Sequence, residues 1–369
     1  MKKLLTVLLA VALVFSFAGC KSSSKGYELA LVTDIGTIDD QSFNQGAWEG
    51  LKAYAEDNKI SYKYYQPTEK STAAYLDAIT LAVDGGAKVV VCPGYLFENA
   101  VWEAQTMYPK VNFVLLDGSP HNVTDYTTMA TLDGSAPDYT VADNTYSIFY
   151  KEQQAGFLAG YAAVKDGYTK LGFMGGIAVP AVIRYGYGFV QGAEYAAEEM
   201  GVTGIEIKYN YTGTFSASPE IQATAASWFT SGTQVIFACG GGIGNSIMAA
   251  AEANNGKVIG VDVDQSSQSK SVITSAMKGL TASVYAALKD YYNDQFPGGQ
   301  SVSLGADVDG VGLPMSSSKF TTFTQADYDK IFDALANNTN GIASSILDDK
   351  SAASATALPV KNVKVILVN

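Results

Sequence analysis

Three aspartates each follow an apolar run of the sequence, and their type and placement suit them to hold a polar ligand. Asp34 follows LALVT, Asp117 follows FVLL and Asp262 follows VIGV. A carboxylate accepts two hydrogen bonds at once, so an acid at the end of a strand can hold a polar group of a ligand. Phe43 lies in the polar loop after Asp34, where its ring can offer a flat apolar face. These residue types indicate a site for a ligand that is planar in one part and polar in another.

The apolar runs that carry these acids occur in two similar sets. The first set begins at residues 28, 88 and 111, and the second at residues 170, 234 and 257. The spacings are 60 and 23 residues in the first set and 64 and 23 in the second, with helix-like segments between the runs. With 369 residues, 47% of them hydrophobic, the chain is long enough for two cores. The repeat predicts an α/β fold of two similar lobes, each with a parallel sheet between helices.

The ends of the six runs are the expected place for a ligand. In open parallel sheets, ligands bind outside the carboxyl ends of the strands. Three of these ends carry the aspartates, and the other three carry Gly94, Gly176 and the glycines from Gly240 to Gly242. Glycines there let backbone N–H groups approach a neutral ligand. If the lobes face each other at these edges, the acids line one cleft.

The sequence predicts more than one crossing between the lobes. The run SVITSAMKG is interpreted as a strand that returns to the first lobe, and SVSLGADVDGVGLP as a further crossing. Several crossings form a hinge that suits closure around a ligand. The polar stretch 119–149 shows no clear strand pattern. We predict two discontinuous lobes, the first formed by 27–145 and 273–305, the second by 146–272 and 306–369.

The N-terminus carries a targeting signal. Lys2 and Lys3 precede a short apolar stretch that ends at Ala-Gly-Cys, so residues 1–19 are typical of a secretory signal peptide. Cys20 resembles the lipid-bearing cysteine of a bacterial lipobox. Residues 20–26 then form a polar tether that reaches about 20 Å when extended. We expect a cell-membrane protein, lipid-anchored on the extracytoplasmic side; an uncleaved anchor and a plain secreted product are the alternatives.

Charge and motifs exclude several other classes. The formal charge of −12 becomes −14 without Lys2 and Lys3, and such an acidic chain has no basic surface for nucleic acid. His121 has no second histidine for a zinc site, and GGGIGNS lacks the ending of a P-loop. No nucleophile is paired with a base. We therefore expect a receptor without metal, cofactor or catalysis. Cys92 and Cys239 are interpreted as buried thiols, with a disulfide between them left open.

An ordered series of motifs makes the interpretation more specific. The chain resembles the basic membrane lipoprotein family, the PnrA-like purine-nucleoside receptors of ABC transporters, through DIGTIDDQSFNQGAWEG, KEQQAGFLAGYAA, GFMGGIAVPAVIRYGYGFVQGAEY, YTGTF, GGGIGN, IGVDVDQ and VITSAMK. The resemblance covers residues 28–315. It implies the type I periplasmic-binding fold, a purine nucleoside as ligand, an ABC permease and its ATPase as partners, and a monomer.

The resemblance also implies roles for individual residues. The resemblance places Lys278 at the ribose of the ligand. Because the loop after Gln265 varies in length, Lys270 or Lys289 could be the residue that corresponds to this position. The implied ligand contacts fall into three groups: Phe43 and Phe215 on the two faces of the base; Asn44 and Asp117, with Asp34 nearby, at its polar edges; and Asp262, Gly241 or Gly242, and Lys278 at the ribose.

Several alternatives stay open at this level. Phe43 could instead pack its loop onto the next helix, and Asp34 could cap that helix. Phe215 alone would be interpreted as a core residue, and Glu152 is expected to organise the region between the lobes. Three acids in one cleft would repel a phosphate, which favours a nucleoside over a nucleotide. The alternative functions are a receptor for another flat ligand such as riboflavin, and a signalling lipoprotein that senses its ligand without import.

Overall fold

The computed structural model describes residues 26–125 and 128–368. In chain order its strands are β1 (Leu29–Val32), β2 (Tyr62–Tyr65), β3 (Val89–Pro93), β4 (Asn112–Leu116), β5 (Val123–Asp125), β6 (Ala130–Thr131), β7 (Thr145–Tyr150), β8 (Lys170–Gly175), β9 (Ile205–Tyr211), β10 (Val235–Cys239), β11 (Lys257–Asp262), β12 (Val272–Lys278), β13 (Gln300–Leu304), β14 (Val311–Gly312) and β15 (Val363–Leu367).

The α-helices of this part of the chain lie between the strands and at the C-terminal side. They are α1 (Phe43–Asn58), α2 (Thr72–Asp84), α3 (Glu98–Met107), α4 (Glu152–Lys165), α5 (Pro180–Met200), α6 (Pro219–Thr230), α7 (Ile243–Asn254), α8 (Leu280–Tyr292), α9 (Gln325–Ala336) and α10 (Ile342–Ser345). Short 3₁₀ turns lie at Tyr95–Phe97, Ala306–Val308, Thr339–Gly341 and Ala355–Ala357.

Local sequence signals explain where several of these helices begin. Ser71 and Ser218 each accept a hydrogen bond from a backbone N–H of the first turn, which caps α2 and α6. Thr324 and Asp327 form a capping box at the start of α9. Pro180 begins α5, where the missing N–H of proline has no cost.

Two separate sheets organise the two lobes. The first has the spatial order β13-β7-β4-β3-β1-β2 and the second β14-β12-β11-β10-β8-β9-β15, with a small β5-β6 hairpin apart from both. All pairings in the two large sheets are parallel except that of β14 with β12. The central strands are buried on both faces, as parallel sheets under two helix layers require. The predicted α/β fold with two parallel sheets is confirmed.

The two sheets repeat one arrangement of five strands. The order β2-β1-β3-β4-β7 in the first sheet corresponds to β9-β8-β10-β11-β12 in the second. The apolar runs of the sequence identify three strands of each set. These runs leave out β12, which the sequence identifies separately, and they miss β7, β2 and β9. The sequences of β2 and β9, YKYY and IEIKYNY, mix tyrosines with charged or polar residues.

Two of the predicted lobe boundaries are corrected. Thr145–Tyr150 pairs with β4 and β13, so it belongs to the first sheet and the first crossing follows it. Val272–Lys278 pairs with β11 in the second sheet, so the return to the first lobe begins at Gly279 and not at 273. Both strands are mostly buried, and a buried strand has a similar sequence pattern in either sheet.

Helices α4 and α5 approach each other closely because glycines face the partner backbone. A Cβ added at Gly160 would lie 2.0 Å from the Phe189 carbonyl oxygen, and one at Gly192 would lie 1.9 Å from that of Phe157. Helices meet this closely only where small residues line the contact. The contact fixes the first turn of α4, which begins at Glu152, relative to α5.

We predict that Gly192→Ala lowers the free energy of unfolding by about 1–3 kcal/mol, because the added methyl group forces α4 and α5 apart. Urea denaturation of wild type and variant measures the difference. Gly244→Ala in α7 is the matched control, since the nearest atom to its added Cβ is 3.7 Å away. That control should be neutral or stabilising by up to about 1 kcal/mol. Equal losses for both variants would contradict the close helix contact.

The predicted signal peptide, residues 1–19, and the lipidated Cys20 lie outside the described residues. The described part begins at Gly26, whose carbonyl oxygen accepts a hydrogen bond from the Ser61 hydroxyl at 2.9 Å. Within the described ranges, every helix is too short or too polar to cross a membrane.

Candidate ligand-binding site

The nine residues that the sequence predicts as ligand contacts all line one cleft between the lobes. Those of the first lobe lie after β1, at the start of α1 and after β4; those of the second lie after β9, before α7 and at the ends of β11 and β12. Their proximity follows from the strand ends that the two sheets turn toward each other. The nine are Asp34, Phe43, Asn44, Asp117, Phe215, Gly241, Gly242, Asp262 and Lys278.

The two lobes present the same backbone features to the cleft. Asp117 follows β4 and Asp262 ends β11, the corresponding strand, and both have left-handed φ angles, 54° and 67°. Gly94 and Gly240 follow the corresponding strands β3 and β10 with φ angles of 114° and 156°. Aspartate tolerates the left-handed region better than most residues, whereas the glycine values are accessible only without a Cβ. The repeat therefore supplies one acid and one tight glycine turn from each side.

Lys278 is the cation at the centre of the cleft. It is buried at the end of β12, and its ammonium donates a short hydrogen bond to Asp117 of the opposite lobe. It lies 3.2 Å from Glu152 Oε1 and 3.8 Å from Asp262 Oδ1. Burial alone would lower the pKa of Lys278, but the three carboxylates outweigh burial and raise it. Lys278 therefore stays charged and joins the two lobes electrostatically.

Aromatic rings surround the same ammonium group. Its nitrogen lies 4.7 Å from the ring centroid of Phe43, 5.5 Å from that of Tyr150 and 5.4 Å from that of Tyr185. Rings at such distances attract a cation through their electron-rich faces. Phe43 thus faces the cleft and contacts its central charge, although it also packs against the core.

Glu152 holds the inner side of this cluster. Its side chain is fully buried at the start of α4, and its Oε2 lies 2.5 Å from Arg184 Nε. Burial raises the pKa of Glu152, but Arg184 and Lys278 more than offset this and bring it to about 2. Its Oε1 faces Lys278 as an ion pair and accepts no hydrogen bond from the described residues. Glu152 is a buried anion that two cations stabilise.

Asp117 has one oxygen paired and one free for a ligand. Its second oxygen accepts from Lys278, while Oδ1 is buried without a hydrogen-bond partner among the described residues. Burial raises the pKa of Asp117 to about 7, and the neighbouring Glu152 adds to the rise that Lys278 opposes. Because a buried acceptor without a donor is costly, a ligand that supplies one would be stabilised here.

Asp34 is held rigidly by its own loop. Its Oδ1 accepts hydrogen bonds from the Gly36 N–H at 2.6 Å and from the Asn44 amide at 2.8 Å. Burial raises its pKa to about 6, and these hydrogen bonds lower it only in part. The alternative that Asp34 caps α1 is excluded, because Asp40 accepts from the backbone N–H groups of Asn44 and Gln45 at the start of that helix.

Asn44 lines the cleft, and its side chain forms hydrogen bonds with the loop that precedes α1. Its amide nitrogen donates to Asp34 and to Asp40, the latter at 2.9 Å, and its oxygen accepts from the Asp34 N–H at 3.1 Å. Both amide donors are therefore engaged within the protein. Asn44 therefore orients Asp34, and its contact with the base stays a prediction.

Phe215 enters the cleft from the second lobe because glycines leave room for its loop. A Cβ added at Gly176 would lie 2.4 Å from Phe215 Cδ1, and one at Gly242 would lie 3.0 Å from its carbonyl oxygen. Any side chain at Gly176 would displace the ring. The glycines at the strand ends thus position an aromatic ring as well as opening the backbone to a ligand.

The lobes touch across the rim of the cleft. Ser42 donates its hydroxyl to Asp262 Oδ2 at 2.5 Å, and the side-chain amides of Gln265 and Gln268 donate to the Gln41 carbonyl at 2.8 and 3.1 Å. Burial raises the pKa of Asp262, whereas Lys278 and Ser42 lower it. These bonds hold the lobes in a closed arrangement, with Asp262 Oδ1 left on the Lys278 side.

Sequence reasoning missed some lining residues. Tyr185 lines the cleft, and its hydroxyl lies 3.2 Å from the Ala276 carbonyl and 3.5 Å from Asp262 Oδ1. Its fully buried ring looks like core in the pattern of α5. Ser42 was detectable only from its place next to Phe43, since a serine in a polar loop carries little signal.

The two cysteines in the described ranges are free thiols, buried near the ends of strands. Cys92 lies in β3 and Cys239 in β10, so the disulfide that the sequence left open is absent from this structure. Burial raises the pKa of both thiols. In the described ranges, no three His, Cys, Asp or Glu residues are grouped to hold a metal ion.

Comparison with known proteins decides the family. The model of the family described as "ABC transporter substrate-binding protein PnrA-like", or Bmp, matches residues 27–346. The chain belongs to this family. The predicted family is thereby confirmed, and it is that of a substrate-binding protein which works outside the cytoplasm with an ABC permease and its ATPase.

Known proteins from other bacteria match most of the chain. The chain is 29% identical over 352 residues to the "ABC transporter nucleoside-binding protein BmpA" of Lactococcus lactis, covering 86% of this chain and 93% of the relative. It is 31% identical over 314 residues to the "CD4+ T-cell-stimulating antigen" of Listeria monocytogenes, covering 79% and 81%.

Solved structures support the fold. A solute-binding protein of an ABC transporter system from Aeropyrum pernix superposes with a TM-score of 0.65 at 23% identity, covering 88% of this chain and 83% of that one. At this identity the likeness concerns the fold alone. It confirms the periplasmic-binding architecture of two lobes around a cleft.

We predict that stability depends on the protonation of Asp34. Its folded-state pKa of about 6 exceeds the ordinary 3.8, so the folded protein binds this proton more readily than the unfolded chain between those values. The free energy of unfolding should therefore decrease as pH rises from about 4 to about 6. In Asp34→Asn, the total decrease in the free energy of unfolding between pH 4 and pH 6 should be smaller than in wild type by about 1–3 kcal/mol.

Urea denaturation at several pH values between 4 and 7 measures this slope. Asp39→Asn is the control, because Asp39 is an exposed acid of the same loop. Buried acids with raised pKa values remain in both variants, so a reduced and not an absent slope is expected for Asp34→Asn. An unchanged slope would show that Asp34 is ionised throughout this range.

Proposed function

We propose that this chain is a lipid-anchored receptor that binds one purine nucleoside in the cleft and delivers it to its ABC permease. The observation that carries the proposal is the composition of the cleft: one phenyl ring from each lobe, acids from both lobes and one buried lysine line it together. The name of the Lactococcus relative as a nucleoside-binding protein supports the same ligand class.

The base would lie between Phe43 of the first lobe and Phe215 of the second. A purine has two flat faces, and each aromatic partner contributes about 1–3 kcal/mol by stacking. Because the rings come from opposite lobes, the sandwich is complete only when the cleft is closed. The base therefore stabilises the closed form more than the open one.

The polar edge of the base would meet the acids of the first lobe. Asp34, which Asn44 orients, and Oδ1 of Asp117 offer acceptors to N–H groups of the ligand. A base that donates to Asp117 would satisfy the buried oxygen that lacks a partner. This pairing relieves a desolvation cost that the ligand-free cleft carries.

The ribose would lie beside Asp262 and Lys278. Asp262 can accept from sugar hydroxyls through Oδ1, and the lysine donates to sugar oxygens with any proton that Asp117 does not use. Gly241 and Gly242 precede α7, so the positive end of that helix faces the same part of the cleft. A neutral hydroxylated group suits this mixture of one cation, one acid and a helix terminus.

The anchor would keep the receptor near its permease. The described residues begin at Gly26, and we propose that residues 21–26 act as a short tether after a lipidated Cys20. Such a chain restricts the body to about 20 Å from the bilayer surface. One receptor with one cleft then serves one transporter, and we propose that it acts as a monomer.

We predict that a purine nucleoside such as adenosine, guanosine or inosine binds, while its 5′-monophosphate binds at least ~100-fold more weakly, a gap of about 2.7 kcal/mol. The reason is the surplus of carboxylates around Lys278, which would repel a phosphate. Isothermal titration calorimetry with matched nucleoside and nucleotide measures both affinities. Equal affinities would contradict the proposed role of the acids.

We further predict that Asp262→Ala weakens nucleoside binding about 10- to 100-fold, as expected for loss of hydrogen bonds to a charged group. Binding of the free base should change much less, since it lacks the sugar. Ser42→Ala is the matched control for closure, because it removes the rim hydrogen bond and keeps the carboxylate.

Phe215→Ala should weaken the binding of nucleoside and free base alike, because its ring would contact the base. If Asp262→Ala also weakened both to a similar degree, that acid would lie away from the ribose.

Native mass spectrometry of the purified protein identifies a retained ligand directly. A nucleoside mass would support the proposal, whereas a flavin mass would favour the alternative of a riboflavin receptor. Loss of nucleoside uptake in cells that lack the permease would separate import from a sensing role.

A further inference from the structure

The C-terminal segment after residue 346 lies beyond the part of the chain that matches the family model. It nevertheless packs firmly on the second lobe, where β15 pairs in parallel with β9. Gln191 of α5 fastens its start through two hydrogen bonds, from the side chain to the Leu347 carbonyl at 2.9 Å and from the Leu347 N–H back to the side chain at 2.8 Å.

This segment carries an acid that reaches toward the cleft. Asp349 Oδ1 lies 3.2 Å from the Arg184 guanidinium, and each side chain is only 12% exposed. Arg184 is on α5, and its Nε contacts Glu152 on the other side. The guanidinium is thus shared between an acid of the C-terminal segment and the buried acid behind the cleft.

The contacts continue to the lysine of the cleft. Glu152 uses Oε2 for Arg184 and turns Oε1 toward Lys278 at 3.2 Å. Three successive ion pairs therefore connect Asp349 with Lys278. Each charged group in this series is largely removed from water, so each interaction is screened less than at the surface.

We propose that Asp349 is a positioning residue for ligand binding, which acts through Arg184 and Glu152 on the ammonium of Lys278. The guanidinium is a planar fork that prefers two parallel hydrogen bonds to one carboxylate. With Asp349 present, Arg184 gives only its Nε to Glu152 and leaves Oε1 for the lysine. Without that acid, the guanidinium is free to turn so that two of its N–H groups bind both oxygens of Glu152, and Lys278 then loses the Oε1 that it faces.

The effect on ligand follows from the proposed function, on which this step rests. A lysine that loses Glu152 depends more on Asp117 and Asp262, so fewer of its protons are directed at the ribose. The ligand never touches Asp349. A change at this peripheral position should therefore alter affinity while the fold stays intact, because Gln191 and β15 hold the segment independently of the charge.

The test compares Asp349→Asn with two reference variants. Asp349→Asn should weaken nucleoside binding about 3- to 10-fold, the size of a coupling through neighbouring groups, with a melting temperature close to wild type. Asp349→Glu should restore most of the affinity, because it returns the carboxylate. Gln191→Ala loosens the same segment without changing charge and should leave affinity within about 2-fold of wild type.

A second measurement needs no ligand. In protein labelled with ¹⁵N-lysine, the ammonium signal of Lys278, assigned by its loss in Lys278→Arg, should shift in Asp349→Asn and remain in place in Gln191→Ala. If wild type binds no nucleoside, the proposed function fails, and this signal alone decides the inference. An unmoved Lys278 signal in Asp349→Asn, or an equal shift in Gln191→Ala, would overturn it. Where nucleoside binds, unchanged affinity in Asp349→Asn would overturn it too.

Discussion

Keeping the Lys278 ammonium charged inside the protein is the constraint on which the rest of the site depends. A buried cation is tolerated only if anions surround it, and Asp117, Glu152 and Asp262 supply them from three different elements. Asp117 follows a strand of the first sheet and Asp262 ends a strand of the second, so these acids come from opposite lobes. The same charge therefore selects the arrangement of the strand ends, the closeness of α4 to α5 and the relative position of the lobes.

The internal repeat of strands and helices explains how both lobes contribute to this site. Corresponding strands end in Asp117 and Asp262 with the same left-handed backbone, so each lobe brings an acid to the shared edge. The lobes differ in what they add: the first contributes Asp34 and its rigid loop, the second contributes the lysine and the glycine turn before α7. The shared strand order gives the two lobes the same architecture, and their different side chains give the cleft two unlike sides.

The two parallel sheets and the acids at their strand ends were largely predictable from the sequence, because buried parallel strands form clear apolar runs. Tyrosine-rich β2 and β9 escaped because their sequences mix tyrosines with charged or polar residues and contain no continuous apolar run. Residues 146–150 of β7 were placed in the wrong lobe because the pattern of a buried strand does not show which sheet it joins. The nine predicted site residues do meet in one cleft. The hydrogen bonds of Asn44 were not predictable, because they depend on side-chain geometry within one loop.

Two helices pack on the lobe opposite to the strand that precedes them, which affects how the protein unfolds. The helix after β7 packs beside β12 and that after β12 packs on α1, so each sheet is covered by a helix from the opposite crossing. Neither half is a self-contained folding unit. A chain severed at a crossing would expose an apolar sheet face on both fragments, and unfolding should be a single cooperative transition. Damage to the hinge is therefore expected to unfold both lobes together.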